Sequence, residues 1–310
     1  MTRSKVVGGS RARLIGSRGA TGVALVLAAG VLWSFGGVIV RGTTGLDAWH
    51  YLAWRSVGLI GMLWLLAAIS GSNLPRATLS QPAIGWLAAV GLLFSSVMII
   101  IALKTTTVAN ATFLASTGPV IAIVLALVVF SDRPTGGIIA SATTALLGVG
   151  IMVLGEAEGG NLWGNIAAVA SAVGFAVYSL CLRAEPGKDW STAIWGQGWI
   201  CLAVCIGAVA LGGTVSAVSW QVLLPLFHGA VIICVGLLLF NRASSMVSAV
   251  NLTIIAQLET VLAPIWGWVI LDELPPPTSI IGGAVIVIGV TGAGLAMVRP
   301  RTTIPPVAPT

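Results

Sequence analysis

Of its 310 residues, 57% are hydrophobic and only 8% are charged, against about a quarter charged in a soluble domain; water cannot solvate such a chain. A membrane span needs roughly 20 apolar residues, so ten spans with short connections consume most of the length and leave no room for a soluble catalytic domain. The net charge of +6 does not indicate a nucleic-acid partner, because the basic residues gather on no soluble unit.

In chain order, the first element is a basic tail, residues 1–19, with Arg3, Lys5, Arg11, Arg13 and Arg18. The apolar run behind it exceeds a signal-peptide core and lacks a clear cleavage site, so it reads as an uncleaved first span. Hydrophobic runs broken by charge, Pro or Gly predict spans over 20–41, 48–70, 82–103, 107–130 and 136–155. The second half gives 162–183, 192–212, 219–240, 246–271 and 277–298, followed by a tail at 299–310. Cytoplasmic connections hold the excess of Lys and Arg. Placing the N-terminus inside puts Arg76, Arg133, Arg183, Lys188, Arg242, Arg299 and Arg301 on that side with the tail. Only Arg41 and Lys104 then lie outside, and both termini are expected to be cytoplasmic. Cys181, Cys201, Cys205 and Cys234 fall in apolar runs without C-x-x-C spacing and read as packing residues. Trp49, Trp86, Trp163, Trp190 and Trp220 lie at span ends, as an interfacial aromatic belt requires.

The two halves match each other. At one shared offset Asn110 falls on Asn251, Thr112 on Thr253, Pro134 on Pro275, Gly148 on Gly289, Ala102 on Ala243 and Asp132 on Glu273. One residue further along, Gly22 meets Gly164, Trp33 meets Phe175 and Arg41 meets Arg183. Residues 20–155 and 162–298 are therefore expected to be repeats of five spans each. Five is odd, so the second repeat enters the membrane upside down, the arrangement that places a site at the midplane between halves and lets it face each side in turn.

Polar and ionisable groups inside spans carry the functional expectations, because each costs free energy there unless something compensates it. Trp33 in span one and Tyr178 in span six lie deeper than the belt; they can wall a cavity for an apolar side chain, or simply pack. Arg55 sits too deep in span two for an ordinary anchor. Its guanidinium can bind a carboxylate, pair with a buried acid or bond helix carbonyls. Asn110, Thr112 and Ser116 in span four, with Asn251, Thr253 and Gln257 in span nine, place amides and hydroxyls at depth. Such groups suit the two ends of a zwitterion, and equally suit bonds between helices. Glu259, near the middle of span nine, costs at least about 2.5 kcal/mol as an ionised group and is a candidate for binding a substrate amine or carrying a proton. His228 is a second coupling candidate. Pro119, Pro225 and Pro264 remove backbone bonds within helices and are hinge candidates. His50 and His228 form no metal constellation, and no phosphate loop, H-E-x-x-H or G-x-S-x-G motif occurs; no metal, cofactor or enzyme chemistry is expected.

An ordered set of motifs resembles the EamA-type family of the drug/metabolite transporter superfamily. In the first half it comprises Leu32-Trp33-Ser34, Trp54-Arg55, Gly118-Pro119 and Asp132-Arg133-Pro134. The second half carries Leu258-Glu259, Leu271-Asp272-Glu273, Gly282 and Gly289-Val290. Where the family has Pro after Leu-Glu, this chain has Thr260, with Pro264 displaced further along. The resemblance implies an all-α fold of ten transmembrane helices, two inverted repeats around a central cavity, in a bacterial inner membrane. It further implies export of amino acids or related metabolites by alternating access, with drug or organic-cation export as the alternative. The expected partners are that small molecule and membrane lipid.

Overall fold

A computed structural model describes residues 4–130, 136–155, 162–185, 187–212, 220–247 and 249–298. Its helices follow the hydrophobic runs: α1 (Gly19–Gly42), α2 (Ala48–Ser70), α3 (Ala83–Thr105), α4 (Val108–Val128) and α5 (Gly136–Gly155). The second half gives α6 (Leu162–Ala184), α7 (Ser191–Gly212), α8 (Trp220–Ser244), α9 (Ala249–Leu271) and α10 (Pro277–Val298). Among the described residues, the first eight are long and apolar enough to cross a bilayer, and α9 and α10 add apolar stretches over Gln257–Leu271 and Pro277–Gly292.

Polar residues set the helix ends. Asp47 starts α2, its Oδ1 accepting from the backbone N–H groups of Trp49 and His50, each at 2.9 Å, which satisfies two otherwise orphaned donors. Gly71 ends the same helix at φ 68°, a left-handed cap that favours glycine. Thr107 caps α4 by accepting from Asn110 N–H at 3.1 Å. A short helix, Leu74–Leu79, bridges α2 and α3 with Asn73 at its N-cap.

Packing exchanges the two halves. The closest partnerships are α3 with α6 and α5 with α10; α1 lies against α8 and α9, α6 against α3 and α4, and α2 against α7. Exchanging first-repeat helices for their second-repeat equivalents maps this set onto itself, so α1 with α9 becomes α6 with α4. The glycines repeat the pattern. A Cβ on Gly148 would meet the backbone N of Ile286 at 2.8 Å, and one on Gly289 would meet that of Ala145 at 2.6 Å; at the shared offset these are the same contact. At the α3–α6 crossing, a Cβ on Gly174 would meet Ser95 N at 2.6 Å and the Gly91 carbonyl at 2.7 Å. Small residues replace the missing hydrophobic driving force between helices in lipid by letting backbones approach. The protein is thus an all-α membrane protein of two inverted five-helix repeats.

Two helices of the first half are interrupted. The helix that carries α1 begins at Ser4, within the basic tail, and breaks at Phe35, between Ser4–Ser34 and Gly36–Gly42, and α4 breaks between Val108–Ala115 and Gly118–Phe130. Local hydroxyls absorb the freed carbonyls: Ser34 donates to Val31 O at 2.7 Å, Ser116 to Phe113 O at 2.6 Å and Thr117 to Leu114 O at 2.7 Å. Broken helices persist at membrane depth where they are buried or line a cavity. Pro119 is the second residue of the segment after the α4 break, a position where the missing N–H costs little. Pro225 lies in Leu223–Phe227, directly before a π-helical stretch, His228–Val235, inside α8. Helix α9 runs through Pro264 without interruption, so the hinge expected there is not a break. The aromatic belt also needs one correction. Trp163 and Trp220 are exposed, but Trp190, the last residue before α7, is buried, with the Lys188 ammonium 4.8 Å from its ring centre.

Polar contacts tie the halves together at one end of the bundle. Arg41 Nε donates to Glu273 Oε2 at 3.3 Å, while Glu273 Oε1 accepts from Val108 N–H at 2.9 Å. Gly45 N–H donates to Gln221 Oε1 at 2.9 Å, and within the first half Lys104 donates to the Thr43 carbonyl.

Candidate substrate site

Between the halves lies a cavity of about 210 Å³. Its wall is mostly apolar, and the polar groups that interrupt it come from both repeats. Of the residues singled out from sequence, Trp33, Arg55, Thr112, Ser116 and Pro119 line it from the first half, and His228, Gln257 and Glu259 from the second. The irregular segments meet there too: Gly36 and Gly37 follow the α1 break, Ser116 adjoins the α4 break, and His228 opens the π-helical stretch.

Arg55 is 2% exposed and donates from Nη2 to Ser96 Oγ. Among the described residues no ion pair joins it to a carboxylate; in particular Arg55 and Glu259 do not pair. Glu259 is half-buried and lines the cavity, and it too has no hydrogen-bond or ion-pair partner among the described residues. Gln257 is 7% exposed, and its Oε1 has no hydrogen-bond partner among the described residues. A buried orphan acceptor costs about 1–3 kcal/mol, and an unpaired buried charge costs more. One cavity wall therefore carries a guanidinium and a carboxyl group that have no ion-pair partner among the described residues, with the Gln257 amide beside them.

The hydroxyls are already partly committed. Thr112 donates to Val108 O at 2.8 Å and Ser116 to Phe113 O, so toward a ligand these oxygens act as acceptors. Across the α3–α6 crossing, Ser95 and Ser171 bond each other at 3.1 Å. The apolar wall includes Trp33, whose ring meets Phe175 edge-on at 6.2 Å and Phe240 at 5.5 Å. A Cβ on Gly236 would run into the Trp33 indole; glycine there is what admits the ring.

Two expected residues lie elsewhere. Asn110 is fully buried outside the lining, accepting from Ser279 and donating to Thr106 Oγ1 at 3.4 Å; it joins α4 to α10. Tyr178 is also absent from the wall. It donates to Asn241 and supports Phe175 from behind at 5.8 Å. A buried polar group has the same sequence signature whether it faces a cavity or a neighbouring helix. The side chains of Asn251 and Thr253 lie outside the described residues, as do Asp132, Arg133 and Pro134. Sequence reasoning missed Ser95, Ser96 and Ser171. Their only mark is a serine pair in an apolar run and one small polar residue on α6.

The family model described as the EamA-like transporter family matches residues 20–154 and again residues 160–295. The chain belongs to this family. Its members are transporters rather than enzymes, so this EamA-like transporter is a multi-pass membrane protein with a small-molecule cargo. No protein of curated function matches it. One solved structure, titled only "Crystal structure of protein", is 20% identical, covers 89% of this chain and 97% of its own, and superposes with a TM-score of 0.64. At that identity the likeness extends to the fold of the EamA-like transporter and no further.

Proposed function

We propose that this protein exports an amino acid, or a small zwitterionic metabolite of similar size, across the bacterial inner membrane by alternating access, with both termini in the cytoplasm. The observation that carries this reading is the unpaired Arg55 and unpaired Glu259 on one cavity wall, one from each repeat. A zwitterion satisfies both: its carboxylate replaces the missing partner of the guanidinium, and its ammonium meets Glu259. Size points the same way. A cavity near 210 Å³ is below the roughly 300–1,000 Å³ of pockets for drug-sized ligands. Cargo that bridges the two charged residues also bridges the two repeats, which is how binding energy is coupled to their relative movement.

A second reading, export of an organic cation, is favoured by Glu259 sharing the wall with Trp33 and Phe175, a carboxylate with aromatic faces that attract cations. Arg55 in the same cavity opposes it, because a cation leaves the guanidinium uncompensated. Glu259 is the coupling candidate in either case, as the carboxylate that can exchange a proton for the cargo's positive charge.

The test is counterflow in sealed liposomes with a panel of radiolabelled amino acids, comparing the unmodified protein with Arg55→Ala and Glu259→Gln. The expected result is saturable exchange of at least one amino acid, reduced at least tenfold by either substitution, since a charge-assisted bond is worth about 1.5–3 kcal/mol. Exchange of organic cations but of no amino acid, with Arg55→Ala unimpaired, would establish the second reading instead.

A further inference from the structure

Helix α2 carries a second residue aimed at the same neighbours. Tyr51 lies one turn before Arg55, so the two share a face. It is fully buried, and its hydroxyl is 2.7 Å from Nδ1 of His228 on α8. Nothing in its sequence position singles Tyr51 out. We propose that His228 is a second donor, beside Arg55, for the carboxylate end of the cargo, and that Tyr51 is the positioning residue that keeps the imidazole proton on Nε2. This rests on the zwitterion reading above.

The tautomer follows from counting donors. A buried Tyr O–H requires an acceptor, and an orphan donor costs about 1–3 kcal/mol. Among the described residues the only acceptor bonded to Tyr51 is His228 Nδ1; the Lys104 ammonium approaches the ring face, 5.4 Å from its centre, and accepts nothing. If Nδ1 carried the proton, whether in a neutral or a charged ring, the Tyr51 hydroxyl would have to accept and its own hydrogen would be stranded. With Nδ1 accepting, the ring proton sits on Nε2. That nitrogen has no protein partner among the described residues, and His228 lines the cavity.

Backbone packing brings this donor beside the guanidinium. A Cβ on Gly229 would collide with the Arg55 carbonyl, so α2 and α8 touch at the residue next to His228. On the other side, a Cβ on Gly36 would stand 3.2 Å from Nε2. Glycine at the α1 break therefore leaves the nitrogen room to face inward. The π-helical stretch begins at His228, a local distortion often found at functional positions. Two donors on one carboxylate fix its orientation as well as its charge.

Two measurements test this. The first needs no cargo: nitrogen NMR on protein labelled at histidine nitrogens, with His228 distinguished from His50 by the spectrum of His228→Gln. The expected spectrum shows His228 with its proton on Nε2, and loss of that single tautomer in Tyr51→Phe. A proton on Nδ1, a charged ring, or an unchanged tautomer in Tyr51→Phe overturns the proposal. The second is counterflow of whichever panel amino acid the unmodified protein exchanges fastest, beside its carboxamide, which keeps the ammonium and lacks the carboxylate. His228→Leu should raise the half-saturating concentration about tenfold or more for the amino acid while leaving the carboxamide within about twofold, and His228→Gln, which keeps a donor, should restore most of the loss. Equal effects on both compounds mean that His228 is structural. Failure of every amino acid to exchange sinks the parent reading, and the carboxylate role with it, while the nitrogen spectrum still reports on the tautomer.

Discussion

Asp47 has a duty that is separable from transport. It lies before α2, outside the membrane-spanning segments, and caps that helix while its Oδ2 meets His50 Nδ1 at 2.8 Å. Partial burial alone would raise its pKa, but hydrogen bonds from the backbone and ring of His50 and from the Trp49 backbone hold the carboxyl below its ordinary value. A carboxylate whose folded-state value is depressed adds stability above the ordinary range, and that stability is lost as the pH falls through it. Asp47→Ala should therefore cost about 1 kcal/mol at pH 7, the usual worth of an N-cap. In thermal unfolding in detergent, the gap between variant and unmodified protein should narrow as the pH is taken below about 4. A gap that persists unchanged at low pH would contradict this account. Arg55 and Glu259 stood out as candidates at this scale because a charge in an apolar run is itself an anomaly, and the structure places both on the cavity wall. Tyr51 and Ser96 were not, since a tyrosine near a span end and a serine within one are ordinary until the fold places them.

At the scale of elements, hydrophobic runs and basic breaks located the helices to within a few residues, because lipid imposes both a length and a composition. What they did not disclose was irregularity. The α1 break falls at Ser34–Gly36, where no proline stands, whereas α9 runs unbroken through Pro264. The difference lies in tertiary support. Trp266 of α9 donates to Ser34 Oγ at 3.0 Å and stacks on Phe35 at 4.9 Å, holding the broken turn from a residue far away in the chain. Glycine content was equally ambiguous, because a glycine in a span can be a contact or a vacancy. Gly174 is a contact and Gly150, with nothing near its would-be Cβ, is open. Gly174→Ala should thus cost about 1–3 kcal/mol through overpacking of the α3–α6 crossing. Gly150→Ala should be neutral or stabilising by up to about 1 kcal/mol. Melting temperatures of the two variants in detergent decide the point; a Gly174→Ala protein as stable as the parent would show that α3 and α6 are not in backbone contact.

For the whole molecule, the shared offset between the halves was the feature of the sequence with the longest reach. It predicted an inverted pair of five-helix repeats, and helix packing in the structure obeys that exchange from α2 with α7 to α5 with α10. The symmetry does not extend to chemistry. Arg55 falls opposite Gln197 at the longer offset and Glu259 opposite Gly118 at the shorter, so each repeat contributes a different charge to one cavity and neither could build the site alone. At one end Arg41 and Val108 bond Glu273, and Gly45 bonds Gln221, tying connections of the two halves together, and a carrier must loosen such ties on one face while closing the other. The central claim, that cargo passes through this cavity by exposing it to each side in turn, is tested most directly by thiol accessibility. Ala115, an apolar wall residue, is replaced by Cys in protein lacking its four native cysteines, with Ile99→Cys as a second wall position. Variants that retain counterflow are then labelled with a membrane-impermeant reagent in vesicles of each orientation. The account predicts labelling from both sides, slowed by a transported amino acid. Labelling from one side only, with counterflow intact and no change on adding cargo, would contradict it.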